Sequence, residues 1–151
     1  MAGKKKTSII KWIVVGIAIV ALGAVGFLGN QAYETNTANF ADELLQAVVK
    51  EYPDTTYWLT THNWKGENNV KEVLAPYLKP ETVAILDKIK PTVWDELKTE
   101  GIDFSEKFIW LDDDLWEDEL KDLEKHNATE NFVLIDLNKD PNQLKTIIDL
   151  L

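Results

Sequence analysis

Eighteen consecutive uncharged residues, Trp12 to Gly29, follow a cluster of lysines at Lys4, Lys5, Lys6 and Lys11. No other feature limits the possible folds of this chain so strongly. As a helix the run reaches about 27 Å at about 1.5 Å per residue, near the ~30 Å hydrocarbon thickness of a bilayer. Its position and flanks predict an uncleaved transmembrane helix over 12–29, with residues 1–11 as a cytoplasmic basic tail under the positive-inside bias. Trp12 beside Lys11 suits the membrane interface. Two other readings stay open. A cleaved signal peptide needs a small-x-small site after the run, and Asn30-Gln31-Ala32 is a poor one. A buried soluble hairpin would need an apolar run longer than core strands usually have. Gly16, Gly23, Gly26 and Gly29 form no GxxxG pair.

Beyond the run, residues 30–37 (NQAYETNT) read as a polar linker and residues 38–151 as one domain of ordinary size. The segment after the run holds 12 of the 16 lysines and all 26 acids, leaving a formal charge of −14. That surface repels phosphate backbones and anionic headgroups, so general nucleic-acid binding is not expected. Cationic or protein partners and metal cations are compatible with it. The chain has no Cys, which excludes disulfides and thiol chemistry.

Apolar spacing predicts a helix over 38–51, begun near Asn39 and stopped before Pro53. Thr55 to Thr61 (TTYWLTT) reads as a short buried strand. Helices are expected around Val70 to Leu78, from Pro80 through Ile89, and from Pro91 to Gly101. The apolar run at 107–111 reads as a second strand, followed by an acidic helix to about His126. Phe132 to Asp136 reads as a third strand, and Pro141 opens a last helix. Strands separated by helices imply parallel pairing with helices on both faces, an α/β class. Ligand crevices in such sheets lie beyond the carboxyl ends of the strands.

Those ends carry the polar residues of interest. Asp112, Asp113 and Asp114 close the strand Lys107 to Leu111 abruptly, and three adjacent carboxylates need something to offset their repulsion. A helix N-terminus could do so, with Asp113 or Asp114 as the N-cap and Glu117 or Glu119 near the first turn. A divalent cation could also do so. Thr60 and Thr61 close another strand; hydroxyls there and paired acids nearby suit a magnesium-phosphate site, although the threonines can equally satisfy loop backbone. Asp136, Asn138 and Asp140 read as turn residues ahead of Pro141. His62 reads as a structural polar group and His126 as a residue matched to a helix C-terminus. The tryptophans read as packing residues.

Taken in order, Tyr57-Trp58-Leu59-Thr60-Thr61, Lys90, Trp110-Leu111-Asp112-Asp113 and Phe132-Val133-Leu134-Ile135 resemble the haloacid dehalogenase-like (HAD) superfamily. The likeness is to the compact domains associated with bacterial RNA-repair systems and runs from about Phe40 to Ile148. It implies a Rossmann-like three-layer domain over 38–151 with a mostly parallel sheet. By the same resemblance, Thr60, or secondarily Thr61, would hydrogen-bond a phosphoryl group. Lys90, or less aptly Lys88, would offset its charge, and Asp112 and Asp113 would hold Mg²⁺. Asp114 would be a further acid or a cap. The first motif, whose Asp is the nucleophile, is missing: no Asp precedes Asp42, and Glu34 and Asp42 are poorly placed. The central strand that would carry that motif is therefore expected to be missing or replaced. The flanking strands could close up, residues 24–35 could fill the slot, or a partner could donate a strand.

The reading that follows is a single-pass membrane protein with an extracytoplasmic, degenerate HAD-like domain. It would be a phosphatase-like pseudoenzyme serving as a binding or regulatory module with a protein partner. A Mg²⁺-dependent phosphatase or phosphotransferase with an unrecognised or partner-supplied nucleophile is the second reading. An extracytoplasmic exclusion or immunity-type interaction protein is the third.

Overall fold

A computed structural model describes the backbone of residues 12–15 and all of residues 38–151. Its centre is a five-stranded parallel sheet of order β3-β2-β1-β4-β5. The strands are β1 (Trp12–Val15), β2 (Thr56–Trp58), β3 (Lys90–Pro91), β4 (Phe108–Asp112) and β5 (Phe132–Leu134). The helices are α1 (Ala41–Glu51), α2 (Val70–Leu74), α3 (Pro80–Val83), α4 (Glu117–Lys125) and α5 (Gln143–Leu150), with short 3-10 turns between several of them.

β4 explains why the sheet is covered on both sides. Successive strand side chains point to opposite faces, and here both sets are apolar. Phe108 and Trp110 enter one buried cluster with Leu59, Trp94, Ile102 and Leu123. Leu111 and Ile109 face the other, built on α1, α2 and α5 through Leu44, Leu45, Val48, Leu74, Leu144 and Ile147. The α/β class with a parallel sheet is therefore as the sequence implies.

The central position is occupied, and by none of the three routes expected. β1 pairs with β2 (Ile13 with Thr56, Val15 with Trp58) and with β4 (Trp12 with Phe108, Val15 with Leu111). Ile13, Val14 and Val15 are β-branched and favour an extended backbone, and a short apolar run fits a buried strand as well as a helix. These four residues are extended where the sequence reading placed the start of a membrane helix. The remainder of that span, the linker at 30–37 and the basic tail lie outside the described residues. Among the described residues, no helix is long and apolar enough to cross a membrane.

The helix expected from Pro91 is also absent. Lys90–Pro91 pair with β2 instead, and Thr92 N–H donates to the Trp58 carbonyl at 3.2 Å. Pro91 lacks an N–H, which an edge strand tolerates because one side of it is unpaired. Only Lys98–Gly101 of that segment is helical, as a single 3-10 turn. The strand expected over 55–61 ends at Trp58, since Thr60 starts a 3-10 turn over Thr61–Gly66.

Candidate functional site at the carboxyl end of β4

Asp112 is the last residue of β4 and only 2 % exposed. It shares a face with Trp110, whose indole N–H donates to Asp112 Oδ2 at 3.2 Å. Lys98 Nζ donates to the same oxygen at 3.0 Å, and Asp113 N–H donates to Oδ1 at 2.9 Å. Lys98 is itself buried, so the two charges meet away from solvent. Burial pushes the Asp112 carboxyl up to about 6, against the opposing attraction of Lys98. The balance is physically reasonable: a desolvated carboxylate is costly, and one ammonium with two N–H donors offsets only part of that.

A buried contact to α4 holds Lys98 in place. Its own N–H donates to Glu119 Oε1 at 3.1 Å, while Glu119 Oε2 accepts the Trp116 N–H at 3.0 Å. Glu119 is fully buried. It thus closes the start of α4 and fastens the lysine-bearing turn to it. Next in the chain, Thr99 Oγ1 donates to Asp122 Oδ2 at 2.6 Å. Gly101 ends the turn where a Cβ would stand 3.0 Å from Leu59 Cδ1 and Thr92 Cβ, so a side chain there would press on both.

The three aspartates do not offset their charge by capping α4. Lys98 and an indole serve Asp112, Asp113 is exposed, and Asp114 Oδ2 accepts the Trp116 indole N–H at 2.7 Å. α4 begins at Glu117 with Trp116 at its N-cap, so Asp113 and Asp114 do not cap it. The helix N-terminus is served from within by Glu119, three residues after the cap position.

Thr60 is buried near this end of the sheet, but its groups are engaged locally. Thr60 N–H donates to Asn63 Oδ1 at 2.7 Å, its Oγ1 accepts the His62 N–H at 3.4 Å, and its carbonyl accepts the Trp94 indole N–H at 3.2 Å. Asn63 is the hub: its Nδ2 donates to the Trp58 and Thr92 carbonyls and to Thr92 Oγ1. Thr61 is exposed. Lys90 is exposed on the edge strand, donating to the Asp54 carbonyl at 2.9 Å, and Lys88 is exposed and pairs with no acid among the described residues. The lysine that meets Asp112 is thus Lys98, and neither Lys90 nor Lys88 takes that role. Asp136 and Asp140 accept N–H groups of Lys139 and Asn142, as turn residues do. His126 ends α4 and stacks on Phe104 at 3.9 Å.

Asp112 and Asp113 by themselves fit a resident metal poorly. Asp112 directs both oxygens at N–H donors, and among the described residues no group of three or more His, Cys, Asp or Glu could hold an ion. Magnesium prefers about six oxygens, so a bound ligand and water would have to supply most of them.

No protein-family model, curated protein or solved structure matches this chain.

Proposed function

We propose that the chain is a membrane-anchored, degenerate HAD-like domain that acts as a binding or regulatory module without phosphatase turnover. The observation that carries this reading is the internal neutralisation of Asp112. Its carboxylate is held by Lys98, Trp110 and the Asp113 N–H, in a site where the chain offers no nucleophile. The residues that follow β1, Gly16-Ile17-Ala18-Ile19, contain no acid, and the first acid after them is Glu34. A carboxylate nucleophile would have to come from that strand end for the usual aspartyl-phosphate route. With it missing, this chain offers no acceptor for the usual phosphoryl transfer.

One observation favours the second reading, a Mg²⁺-dependent phosphotransferase with a partner-supplied nucleophile. A buried carboxyl raised to about 6 is a suitable proton donor and acceptor near neutral pH. Hydrolysis of small aryl phosphates by the full-length chain in micelles, with and without Mg²⁺, separates the two. The module reading expects no turnover above an Asp112→Asn control. Turnover that the Asp112→Asn substitution abolishes would overturn it.

A further inference from the structure

Among the described residues the sheet ends in two edges, and the two are unlike. At one, β3 is two residues long, exposed, and made of a lysine and a proline. A short strand with a charge, and with no N–H at Pro91, is a poor template for another chain. At the other, β5 is Phe132-Val133-Leu134, with neither charge nor proline, and Leu134 is 52 % exposed. An apolar edge of that kind invites pairing with a like strand.

The alternation of the strand backbone sets what the β5 edge presents. Ile135 N–H donates to the Asp112 carbonyl at 2.8 Å, so residues 133 and 135 turn their N–H and C=O groups toward β4. Leu134 and Asp136 therefore turn theirs outward. Gln143, the first residue of α5, meets both. Its Nε2 donates to the Leu134 carbonyl at 2.8 Å, and its Oε1 accepts the Asp136 N–H at 2.8 Å. In a parallel ladder, one residue of a neighbouring strand donates to the carbonyl before the residue it faces and accepts the N–H after it. The Gln143 amide makes that pair of bonds, in the place of a sixth strand facing Ile135. Its own N–H, donating to the Asp140 carbonyl at 3.1 Å, and the fully buried Leu144 beside it hold it there.

We propose that Gln143 guards the β5 edge against pairing with a second copy of the chain. The pairing it excludes is defined. Two β5 edges brought together antiparallel, about a two-fold axis at Leu134, exchange both Leu134 N–H···O=C bonds and set the two exposed leucines side by side. That exchange needs the outward side of the Leu134 carbonyl, which Gln143 holds. With the amide removed, the Leu134 carbonyl and the Asp136 N–H are open, and the net worth of one hydrogen bond no longer opposes pairing.

The chain has no Cys, so Leu134→Cys is a single reporter without background. Its disulfide forms between copies paired at that axis, where facing Cα atoms stand about 5.5 Å apart. Val93→Cys, at a position 68 % exposed just after β3, reports random collision. Formation of the disulfide-linked dimer is followed for the full-length chain in micelles, with Gln143 kept, with Gln143→Ala, and with Gln143→Asn, whose amide is one methylene too short to reach both groups. The Asn variant carries the test should the Ala variant fail to fold. The expected result is cross-linking of Leu134→Cys about fivefold faster in either variant, the factor that one net hydrogen bond is worth, with Val93→Cys unchanged. Equal Leu134→Cys rates with and without Gln143 overturn the guard. A rise of the same size at Val93→Cys overturns it too, because the variants then promote contact between copies without regard to the edge.

Discussion

Replacing Lys98 by Met tests how the acidic strand end is balanced. Methionine keeps most of the aliphatic length and removes the ammonium, leaving Asp112 buried beside two N–H donors. Breaking a buried pair by removing one partner costs about 3–5 kcal/mol. Because Trp110 and the Asp113 N–H still serve the carboxylate, the lower end, about 3 kcal/mol, is expected here. Lys98 is also the group that opposes the upward shift of Asp112, so its removal pushes that carboxyl higher still. The loss should therefore be large at pH 7 and shrink at pH 5, where Asp112 is neutral with or without Lys98. The double variant Lys98→Met/Asp112→Leu removes both charges and should recover most of the stability, since apolar replacement of a buried pair is often neutral. Guanidinium unfolding of the full-length chain followed by tryptophan fluorescence measures all three. A single-variant loss below about 1 kcal/mol, the range of exposed pairs, would refute the reasoning. So would a loss equal at both pH values, or a double variant no better than the single.

Three further outcomes follow from the same contacts. Asp112 has its folded pKa raised to about 6 from 3.8, so the folded chain binds more protons between those values and stability falls as pH rises through them. At about 1.4 kcal/mol per pH unit this amounts to about 3 kcal/mol, and Asp112→Asn should remove that fall from a pH series of unfolding curves. Asn63→Ala strips a partner from the Thr60 N–H and the Thr92 carbonyl and should cost about 3 kcal/mol by denaturant unfolding; Asn63→Asp should not rescue it, because it keeps the acceptor and loses the donors. Gly101→Ala should cost about 1–3 kcal/mol in the same assay, since Leu59 and Thr92 must move aside.

Parts of this fold were plain in the sequence because they rest on local patterning. Phe108 to Leu111 is apolar on both faces and could be read as a buried strand, and the spacing of Leu44, Leu45, Val48 and Val49 marked α1. Other parts depended on tertiary context. Ile13, Val14 and Val15 sit in a run whose apolar character fits a membrane helix and a central strand equally, and periodicity cannot separate the two. Pro91 looked like a helix start, but the Trp58 carbonyl reached by Thr92 holds that stretch extended. That three adjacent acids need something to offset them was legible in the sequence. That Lys98 meets Asp112 was not: Lys88, Lys90 and Lys98 are close in sequence, and only the turn fastened by Glu119 aims one of them at the carboxylate. Glu119 itself looked like one more charge on an acidic helix, and only its complete burial marks it as a fastener.

The central claim is that Lys98 balances Asp112. Carbon-13 spectra of the side-chain carboxyls in the full-length chain, recorded across pH with and without millimolar Mg²⁺, test it directly. The account predicts an Asp112 midpoint near 6 that Mg²⁺ leaves in place and that Lys98→Met raises. A midpoint below the ordinary aspartate range, or one that Mg²⁺ drives sharply downward, would contradict it and make Asp112 a metal ligand.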